Sequence, residues 1–316
     1  MKLISSPCTR REILKGVAKV GGAMLVPPVL TWGARGTAAG GYAPKLSVEG
    51  YIFLQHFDSA KQTLAAGEEE VLRWTHQAGY ERVELSDPFF KADVRDQTRE
   101  LLAKYKLKPE SVYASSTLHE ASAAEASIQA VLEVAAFLKP LGTRVIITNP
   151  SPKPNQALKT DAELKTQAQY INQLGMALRG KGIRLLLHHH TPELRENARE
   201  WWYELEHTDP QAAGCCVDVH WAYRGGQEVM PFLRKVGNRV ESLHLRNSQN
   251  GVWMEDFGPG DVDYSPVADY LHQTNYQGFL VVELAYEKGT AVTRSLEEDL
   301  RRGRIYTEKV FGLPSS

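Results

Sequence analysis

Carboxylate and imidazole side chains end four short apolar runs of this sequence. The run-ending groups are the triplet His188-His189-His190, then Asp218, His244 and Glu283. Nitrogen and oxygen donors bind a metal ion when they converge on one point. A single histidine at the end of a strand is more often a hydrogen-bonded structural residue. Four such groups in succession instead predict a ring of metal ligands at one rim of a sheet.

The run Cys-Cys-Val-Asp-Val-His at residues 215–220 becomes polar only at its carboxyl end. Side chains alternate along a β-strand, so Asp218 and His220 are expected on one face of a strand. An indole, Trp221, follows directly. The run therefore predicts a buried strand whose tip carries the reactive side chains.

From Lys45 onward, runs of strand length alternate with amphipathic stretches of helical length. The predicted strands are residues 46–55, 82–87, 111–116, 144–149, 183–190, 215–220, 240–247 and 279–286. The predicted helices are residues 68–78, 121–138, 162–178, 192–206, 262–272 and 294–310. Eight βα units in about 270 residues predict a single α/β domain, a (β/α)8 TIM barrel.

An open doubly wound sheet is the main alternative to the barrel. However, no Gly-x-Gly-x-x-Gly follows the first predicted strand to bind a dinucleotide. In (β/α)8 barrels the active site lies at the carboxyl ends of the strands. Each run-ending group lies at that end, and so does Glu84 in the second predicted strand. These polar residues are therefore expected at the active-site rim.

The first 39 residues differ in character from the rest of the chain. Arg10-Arg11 precedes a weakly apolar run at residues 16–32, and small residues up to Ala39 suit signal-peptide cleavage. This pattern resembles a twin-arginine export signal. A membrane anchor is the alternative, but paired glycines and paired prolines inside the run weaken a spanning helix. We therefore expect a signal peptide over residues 1–39, a mature domain over residues 40–316, a periplasmic location and a transient partner, the twin-arginine translocase.

Composition argues against other classes of partner. The 316 residues carry a net charge of −1 and no basic run, so a nucleic-acid partner is not expected. No second long apolar segment follows the leader, so stable membrane insertion is not expected either. Cys215 and Cys216 are adjacent in a predicted strand and poorly placed to pair, so we expect no structural disulfide.

Four motifs, in this order, resemble the xylose-isomerase-like sugar phosphate isomerases and epimerases. They are Asp218-Val-His220-Trp221, Ser242-Leu-His244-Leu-Arg246, the loop Gly-Pro-Gly-Asp-Val-Asp-Tyr at residues 258–264, and Val-Val-Glu283. The resemblance covers nearly the whole mature chain. It implies a TIM barrel whose fifth to eighth strands hold a divalent cation, often manganese, which binds the hydroxyl and carbonyl oxygens of a sugar. By position, Asp218, His244 and Glu283 match the family's ligands from strands six, seven and eight.

Strand five departs from the family's commonest pattern, in which a glutamate is both a ligand and an acid/base. This chain has Leu-His-His-His at residues 187–190, which looks like a subgroup with Tyr-His-Asn-His. Alternation along the strand places His188 and His190 on the inward face and His189 on the outward face. We expect His188 as the fourth metal ligand and His190 as a substrate contact or proton-transfer group. The reverse assignment stays open.

The donor set indicates which ion the site would hold. Two imidazoles and two carboxylates suit manganese, zinc, cobalt or iron better than magnesium or calcium, which prefer oxygen ligands. We expect one divalent cation, and manganese first. The resemblance implies that this ion binds a carbonyl and its neighbouring hydroxyl and stabilises the enediolate formed when the carbon loses a proton.

The resemblance implies a metal-dependent isomerase or epimerase that acts on a sugar or keto-sugar. Glu283 would be ligand and base, and a histidine or Glu193 would be the second proton-transfer group. The alternative is a lyase that removes an aglycone from a 3-keto-glycoside by β-elimination, with His190 or His220 as the acid. A non-catalytic periplasmic sugar-binding barrel is a third hypothesis. The expected substrate contacts are Glu84, Trp221, Arg246 and Glu193.

Overall fold

Parallel strands close into an eight-stranded barrel in the computed structural model, which describes residues 41–315. The barrel strands are β1 (Lys45–Glu49), β2 (Val83–Ser86), β3 (Ser111–Tyr113), β4 (Val145–Thr148), β5 (Arg184–Leu187), β6 (Ala213–Asp218), β7 (Val240–Leu245) and β10 (Phe279–Val282); a two-stranded hairpin, β8 (Ser248–Gln249) and β9 (Val252–Trp253), follows β7. Each strand pairs with its neighbours in chain order, and β10 closes on β1. The predicted (β/α)8 barrel is confirmed.

Helices follow the barrel strands along the chain. They are α1 (Tyr51–Ala60), α2 (Leu64–Gln77), α3 (Arg95–Lys104), α4 (Ala121–Leu138), α5 (Asp161–Gly180), α6 (Thr191–His207), α7 (Val219–Arg224), α8 (Val229–Val236), α9 (Ser265–Gln273) and α10 (Leu296–Phe311). Side-chain caps fix several of their starts. At α5, Thr160 Oγ1 accepts a hydrogen bond from the backbone N–H of Glu163, whose carboxylate accepts one from the N–H of Thr160. Such a capping box satisfies two N–H groups that the helix leaves unpaired.

A small core fills the interior of the barrel. Its members are Val145, Ile147, Leu186, Cys216, Phe279 and Val281, with Tyr113 packed against them. His188, Asp218 and Glu283 each lie two positions after a member of this core, so the alternation of strand side chains turns them toward the same interior. His244 pairs with Asp218 on one side and with Val281 on the other. The interior core therefore continues into a polar layer at the carboxyl end.

All eight predicted strands run past the ends of the observed strands, and in two of them the error moves a residue of interest. The predicted strand 46–55 ends at Glu49, because the chain turns at Gly50 and enters α1. The predicted strand 215–220 ends at Asp218, whose Oδ1 accepts a hydrogen bond from the backbone N–H of Trp221 at 2.7 Å. An aspartate in that geometry starts a helix. His220 therefore lies in α7, and the prediction that it shares a strand face with Asp218 is wrong.

Helix α4 packs as a barrel helix, although the stretch Ala121–Leu141 is long and apolar enough to cross a membrane by length and composition. Its buried residues Ile128, Val131, Ala135 and Leu138 recur every three or four positions and belong to the core between the helices and strands. That spacing is typical of a helix with one face against a sheet. The predicted signal peptide, residues 1–39, lies outside the described residues, so the export signal and the domain boundary stay predictions.

Candidate active site

Four side chains converge at the carboxyl end of the barrel. Ligand atoms of His188, Asp218, His244 and Glu283 lie within 4.8 Å of one another, and all four residues are buried. Neither ring nitrogen of His188 has a hydrogen-bond partner among residues 41–315. Its Nε2 lies 3.8 Å from Asp218 Oδ2, which is too long for a hydrogen bond. Because buried polar atoms without partners are costly, this donor set fits a divalent cation bound between the imidazoles and carboxylates.

Glu84 orients the ring of His244 through a hydrogen bond with its Nε2. Its Oε1 lies 2.8 Å from His244 Nε2, and its Oε2 accepts a hydrogen bond of 2.6 Å from Ser111 Oγ. The other ring nitrogen, Nδ1, lies 2.6 Å from Glu283 Oε2. A carboxylate on the far nitrogen is the usual way in which a ligand histidine is oriented. Glu84 is fully buried and does not line the cavity described below, so its position differs from the predicted substrate contact.

Arg246 bridges the two ligand carboxylates. Its Nη2 lies 3.2 Å from Asp218 Oδ2 and also donates to Glu283 Oε1. Burial raises the pKa of both carboxyls, but Arg246 and the neighbouring histidines outweigh it, so the pKa of Asp218 falls well below its usual range and that of Glu283 falls to about 2. The guanidinium also lies over the ring of Trp253, 4.6 Å from its centroid. Arg246 thus contacts protein carboxylates, where we had expected it to contact substrate.

The histidine triplet that follows β5 alternates between the two faces as predicted. His189 points away from the barrel and packs against Trp201 and Phe232, with ring centroids 4.6 and 5.4 Å apart. His188 and His190 both line the cavity at the carboxyl end. Their ring centroids lie 4.6 Å apart. The alternation of side chains past the end of the strand is therefore confirmed.

Neighbouring polar groups fix the tautomer of His190. Asn149 Nδ2 donates to Pro150 O at 3.2 Å and approaches Glu193 Oε1 at 3.4 Å, so its Oδ1 is the acceptor that faces His190 Nδ1 at 3.1 Å. His190 Nδ1 therefore carries the proton, and Nε2 presents a lone pair to which no described residue hydrogen bonds. Burial, followed by the effect of His188, lowers the pKa of His190 to about 3. The ring is neutral at physiological pH and can accept a proton or a hydrogen bond.

Glu193 caps helix α6 beside this ring. Its Oε2 accepts a hydrogen bond of 2.7 Å from the backbone N–H of His190. Burial, and then the charge of Glu200, raises the pKa of Glu193 to about 7. A carboxyl in this position stabilises the start of a helix. The predicted substrate contact Glu193 does line a cavity, but its carboxylate is used within the fold.

Two cavities open beside the ligand cluster, and His190 lines both. The first cavity has a volume of about 260 Å³ and the second about 250 Å³. The first cavity is lined by Glu49, Tyr51, Leu54, Ser86, Asp87, Pro88, Tyr113, Ser115, His188, His190, His244 and Glu283. The second cavity is lined by Asn149, Pro152, Gln156, His190, Thr191, Pro192, Glu193 and Trp221. The predicted contact Trp221 therefore belongs to the second cavity.

Sequence reasoning missed Glu49, which lines the first cavity. The pairing of Val48 with Val282 places Glu49 next to Glu283, and Glu49 also pairs with Glu84 on its other side. Burial, and then the charges of Glu283 and Glu84, raises the pKa of Glu49 well above its usual range. The signal was an acid at the end of the first apolar run. The predicted strand continued to residue 55 and so placed Glu49 in its middle.

His220 belongs to a hydrogen-bond chain outside both cavities. Its Nε2 lies 2.9 Å from Ser248 Oγ, which in turn lies 2.6 Å from Asp261 Oδ2. Since the aspartate can only accept, Ser248 donates to Asp261 and accepts from His220 Nε2. Burial lowers the pKa of His220 to about 4. This chain anchors the β8–β9 hairpin to α7, and His220 lines neither cavity, unlike the catalytic position predicted for it.

Comparison with known proteins agrees with this geometry. Residues 72–306 match the family model described as the xylose isomerase-like TIM barrel. The inosose dehydratase of Clostridium perfringens is 26% identical over 214 residues, which cover 58% of this chain and 71% of that protein. The inosose dehydratase of Mesomycoplasma hyopneumoniae is 28% identical over 236 residues, which cover 66% of this chain and 77% of that protein.

Solved structures share the fold at low sequence identity. A sugar phosphate isomerase/epimerase from Parabacteroides distasonis superposes with a TM-score of 0.67 at 16% identity, covering 87% of this chain and 98% of that one. A D-allulose 3-epimerase from Methylomonas sp. superposes with a TM-score of 0.69 at 15% identity, covering 86% of this chain and 99% of that one. The matched family model spans most of the barrel, and the chain belongs to the xylose isomerase-like TIM barrel family.

Proposed function

We propose that this protein is a divalent-cation-dependent lyase that removes the proton beside the carbonyl of a cyclic polyhydroxy ketone and then eliminates a β substituent. The observation that carries the proposal is the cluster of His188, Asp218, His244 and Glu283 beside a cavity of about 260 Å³. The inosose dehydratases, which are similar over more than half of the chain, support a ketone of a cyclic polyol as the substrate class.

The four clustered residues would hold the ion, and Glu84 and Arg246 would keep three of them in place. When bound, a divalent cation stabilises negative charge on a carbonyl oxygen and so makes the neighbouring C–H more acidic. Two imidazoles with two carboxylates suit manganese, zinc, cobalt or iron, and manganese is proposed first because of the family resemblance.

His190 and Glu49 are the proposed proton-transfer groups. His190 Nε2 has a free lone pair at the cavity and takes the proton from carbon. The electron pair of that C–H bond forms a C=C bond, the β C–O bond breaks, and its electron pair goes to the oxygen. Glu49, whose pKa is raised, gives that oxygen a proton, so the substituent leaves as water or an alcohol. Glu283, held as a carboxylate by Arg246 and His244, is the alternative base.

Isomerisation or epimerisation is the second candidate, because two carboxyl groups on neighbouring strands, Glu49 and Glu283, line the same cavity. In that reaction a proton leaves carbon and returns to the neighbouring carbon or to the opposite face, and no C–O bond breaks. The histidine at residue 188, where many family members have a glutamate, favours elimination over this two-base exchange.

One incubation separates these reactions. Manganese-loaded protein is mixed with 2-keto-myo-inositol in deuterated water, and the products are followed by mass spectrometry. A lyase gives a product lighter by one water, whereas an epimerase gives an isomer of the substrate that carries deuterium at carbon. We expect His190→Gln to slow either outcome by about two to four orders of magnitude, the range for a lost general base.

The matched control is His207→Gln, since His207 is exposed at the end of α6 and lies outside both cavities. It should leave the rate within twofold. If neither deuterium uptake nor elimination occurs with keto-inositols, free ketoses, sugar phosphates or 3-keto-glycosides, the sugar-binding hypothesis replaces the enzymatic one.

A further inference from the structure

We infer that the substrate carries an uncharged ring as its leaving substituent, and that this ring binds in the second cavity against Trp221. The inference deepens the proposed function and rests on it. It names a site outside the ligand cluster and identifies Trp221 as the residue that selects the substituent.

The arrangement of the two cavities is the first observation. They have nearly equal volumes, about 260 and 250 Å³, and His190 lines both of them. Each is smaller than the roughly 300 Å³ at which ligand sites for drug-sized molecules begin, whereas the pair together exceeds it. A one-ring ketone therefore needs only the first cavity. A substituent on that ring would extend past His190, the lining residue that the two cavities share, into the second.

The chemistry of the second cavity is the next observation. Among the described residues that line it there is no lysine or arginine. Its polar groups are the amides of Asn149 and Gln156, the hydroxyl of Thr191, the imidazole of His190 and the carboxyl of Glu193, which accepts from the backbone N–H of His190. Its flat surfaces are the indole of Trp221 and the rings of two prolines. Amides and hydroxyls hydrogen bond neutral polar groups, and an indole stacks on a sugar or aromatic ring. The lining does not suit a phosphate, which binds cations and backbone N–H groups.

The wall formed by Trp221 is held firmly. Its backbone N–H donates to Asp218 Oδ1 at 2.7 Å, and its ring meets that of Trp253 edge to face at 5.3 Å between centroids. Arg246 lies on the same indole at 5.4 Å. A rigid aromatic wall selects by shape at little cost in ordering entropy.

The test compares leaving substituents of different size. Manganese-loaded protein is given phenyl 3-keto-β-D-glucopyranoside and its methyl counterpart, and kcat/KM is measured for each. We expect the phenyl compound to be preferred by at least about tenfold in the parent protein, since one well-packed ring contributes a factor of this size. Phenol is also the better leaving group, so only the part of the ratio that depends on Trp221 reports on the site. Trp221→Leu should therefore lower the ratio about tenfold, and Trp221→Phe should restore part of it. The matched control Trp202→Leu, a half-buried indole of α6 that lines neither cavity, should leave the ratio unchanged.

A second measurement, of binding alone, tests the second cavity independently of the proposed reaction. The affinities of unreactive phenyl and methyl β-D-glucopyranosides are measured by calorimetry on the same four proteins. If no ketone is turned over but the phenyl glucoside binds more tightly in a Trp221-dependent way, the proposed reaction fails and the second-cavity assignment holds. If ketones are turned over with no phenyl preference, or if Trp221→Leu lowers both substrates equally, the assignment is overturned and the reaction stands.

Discussion

The two ends of the barrel use their charged side chains differently. At the amino end, Glu110 binds both Lys45 and Arg82, at 2.8 and 3.1 Å, and Arg184 binds Glu241 at 2.7 Å. At the carboxyl end, the four ligand-type residues are buried together, and His188 has no hydrogen-bond partner in the described part of the chain. The charges named at the first end are thus paired and partly exposed, whereas at the second end one buried imidazole stays unpaired beside the paired carboxylates.

The difference separates side chains that stabilise the fold from side chains whose burial lowers its stability. Partly exposed ion pairs contribute up to about 1 kcal/mol each and are easily replaced. Buried polar atoms without partners lower stability, so a fold retains them only where something else binds them. The amino end of this barrel should therefore tolerate charge removal with a loss of stability alone. The carboxyl end should lose binding and activity.

The largest expected effect comes from Asp218→Asn. Asparagine still accepts the hydrogen bond from the backbone of Trp221 and caps α7, so the fold should remain. The variant removes a charged ligand, and we expect about a thousandfold loss of both manganese affinity and activity, in line with the energetics of ligand removal. Metal content after dialysis and the elimination assay measure the two. Glu241→Gln at the amino end is the control, and parental metal content in Asp218→Asn would contradict the assignment.

A smaller effect is expected from Glu84→Gln, which tests whether Glu84 acts through His244. Loss of the carboxylate behind a ligand histidine typically weakens metal binding by about 10- to 100-fold. Competition with a metal-binding dye gives this affinity directly. Ser111→Ala, which removes only the hydroxyl that donates to Glu84, should weaken binding by less than Glu84→Gln. An unchanged metal affinity with a raised KM would instead return Glu84 to the role of substrate contact.

The smallest effects are on stability, and two glutamates should show opposite dependence on pH. Burial raises the pKa of Glu110, but Lys45 and Arg82 outweigh it, so the folded-state pKa lies below the ordinary value for a glutamate. Its contribution is present above the unfolded pKa near 4.3 and is lost as the pH falls through the folded pKa. Glu110→Gln should therefore cost about 1 kcal/mol of unfolding free energy at pH 7 and less at pH 3. Activity should not change.

Glu68 is the opposite case, because it has a hydroxyl partner, Thr98, in place of a cation. Burial, partly offset by that hydrogen bond of 2.5 Å, raises its pKa to about 7. The folded state holds the extra proton between the unfolded pKa and 7, so this stabilisation is lost as the pH rises through 7. The unfolding free energy of Glu68→Gln, measured relative to that of the parent, should therefore increase by about 1–3 kcal/mol from pH 5 to pH 8. Urea unfolding at both values, with the exposed Glu70→Gln as control, would show an unaltered difference if Glu68 is ionised throughout.

The barrel and the clustering of four ligand-type side chains could be predicted from sequence because both depend on local patterns. Apolar runs of strand length separated by helical stretches fix the fold class, and parallel strands bring their carboxyl ends together whatever their loops do. To predict which side chains cluster, it was enough to know which residues end a strand and which face they occupy. These residues are His188, Asp218, His244 and Glu283.

The remaining site residues depend on contacts that no local pattern contains. Glu84 meets His244 across the barrel, 160 residues away in the chain. His220 was misplaced because the helix cap at Asp218 ends the strand two residues early. Arg246 was expected to hold substrate because its two partners, on β6 and after β10, come from the strands on either side of β7, and contacts between those side chains are not visible in a local pattern.

The two oxygens of Asp218 face in two directions. One accepts from the backbone of Trp221, and the other faces His188 and Arg246. A single carboxylate thus joins the proposed ion position to the wall of the second cavity. If a ring bound at Trp221 shifts this carboxylate, the ring would change the ion's affinity by the same factor as the ion changes the ring's, because such coupling is reciprocal. Under the proposed function, loss of the ion would then depend on whether the second cavity is occupied.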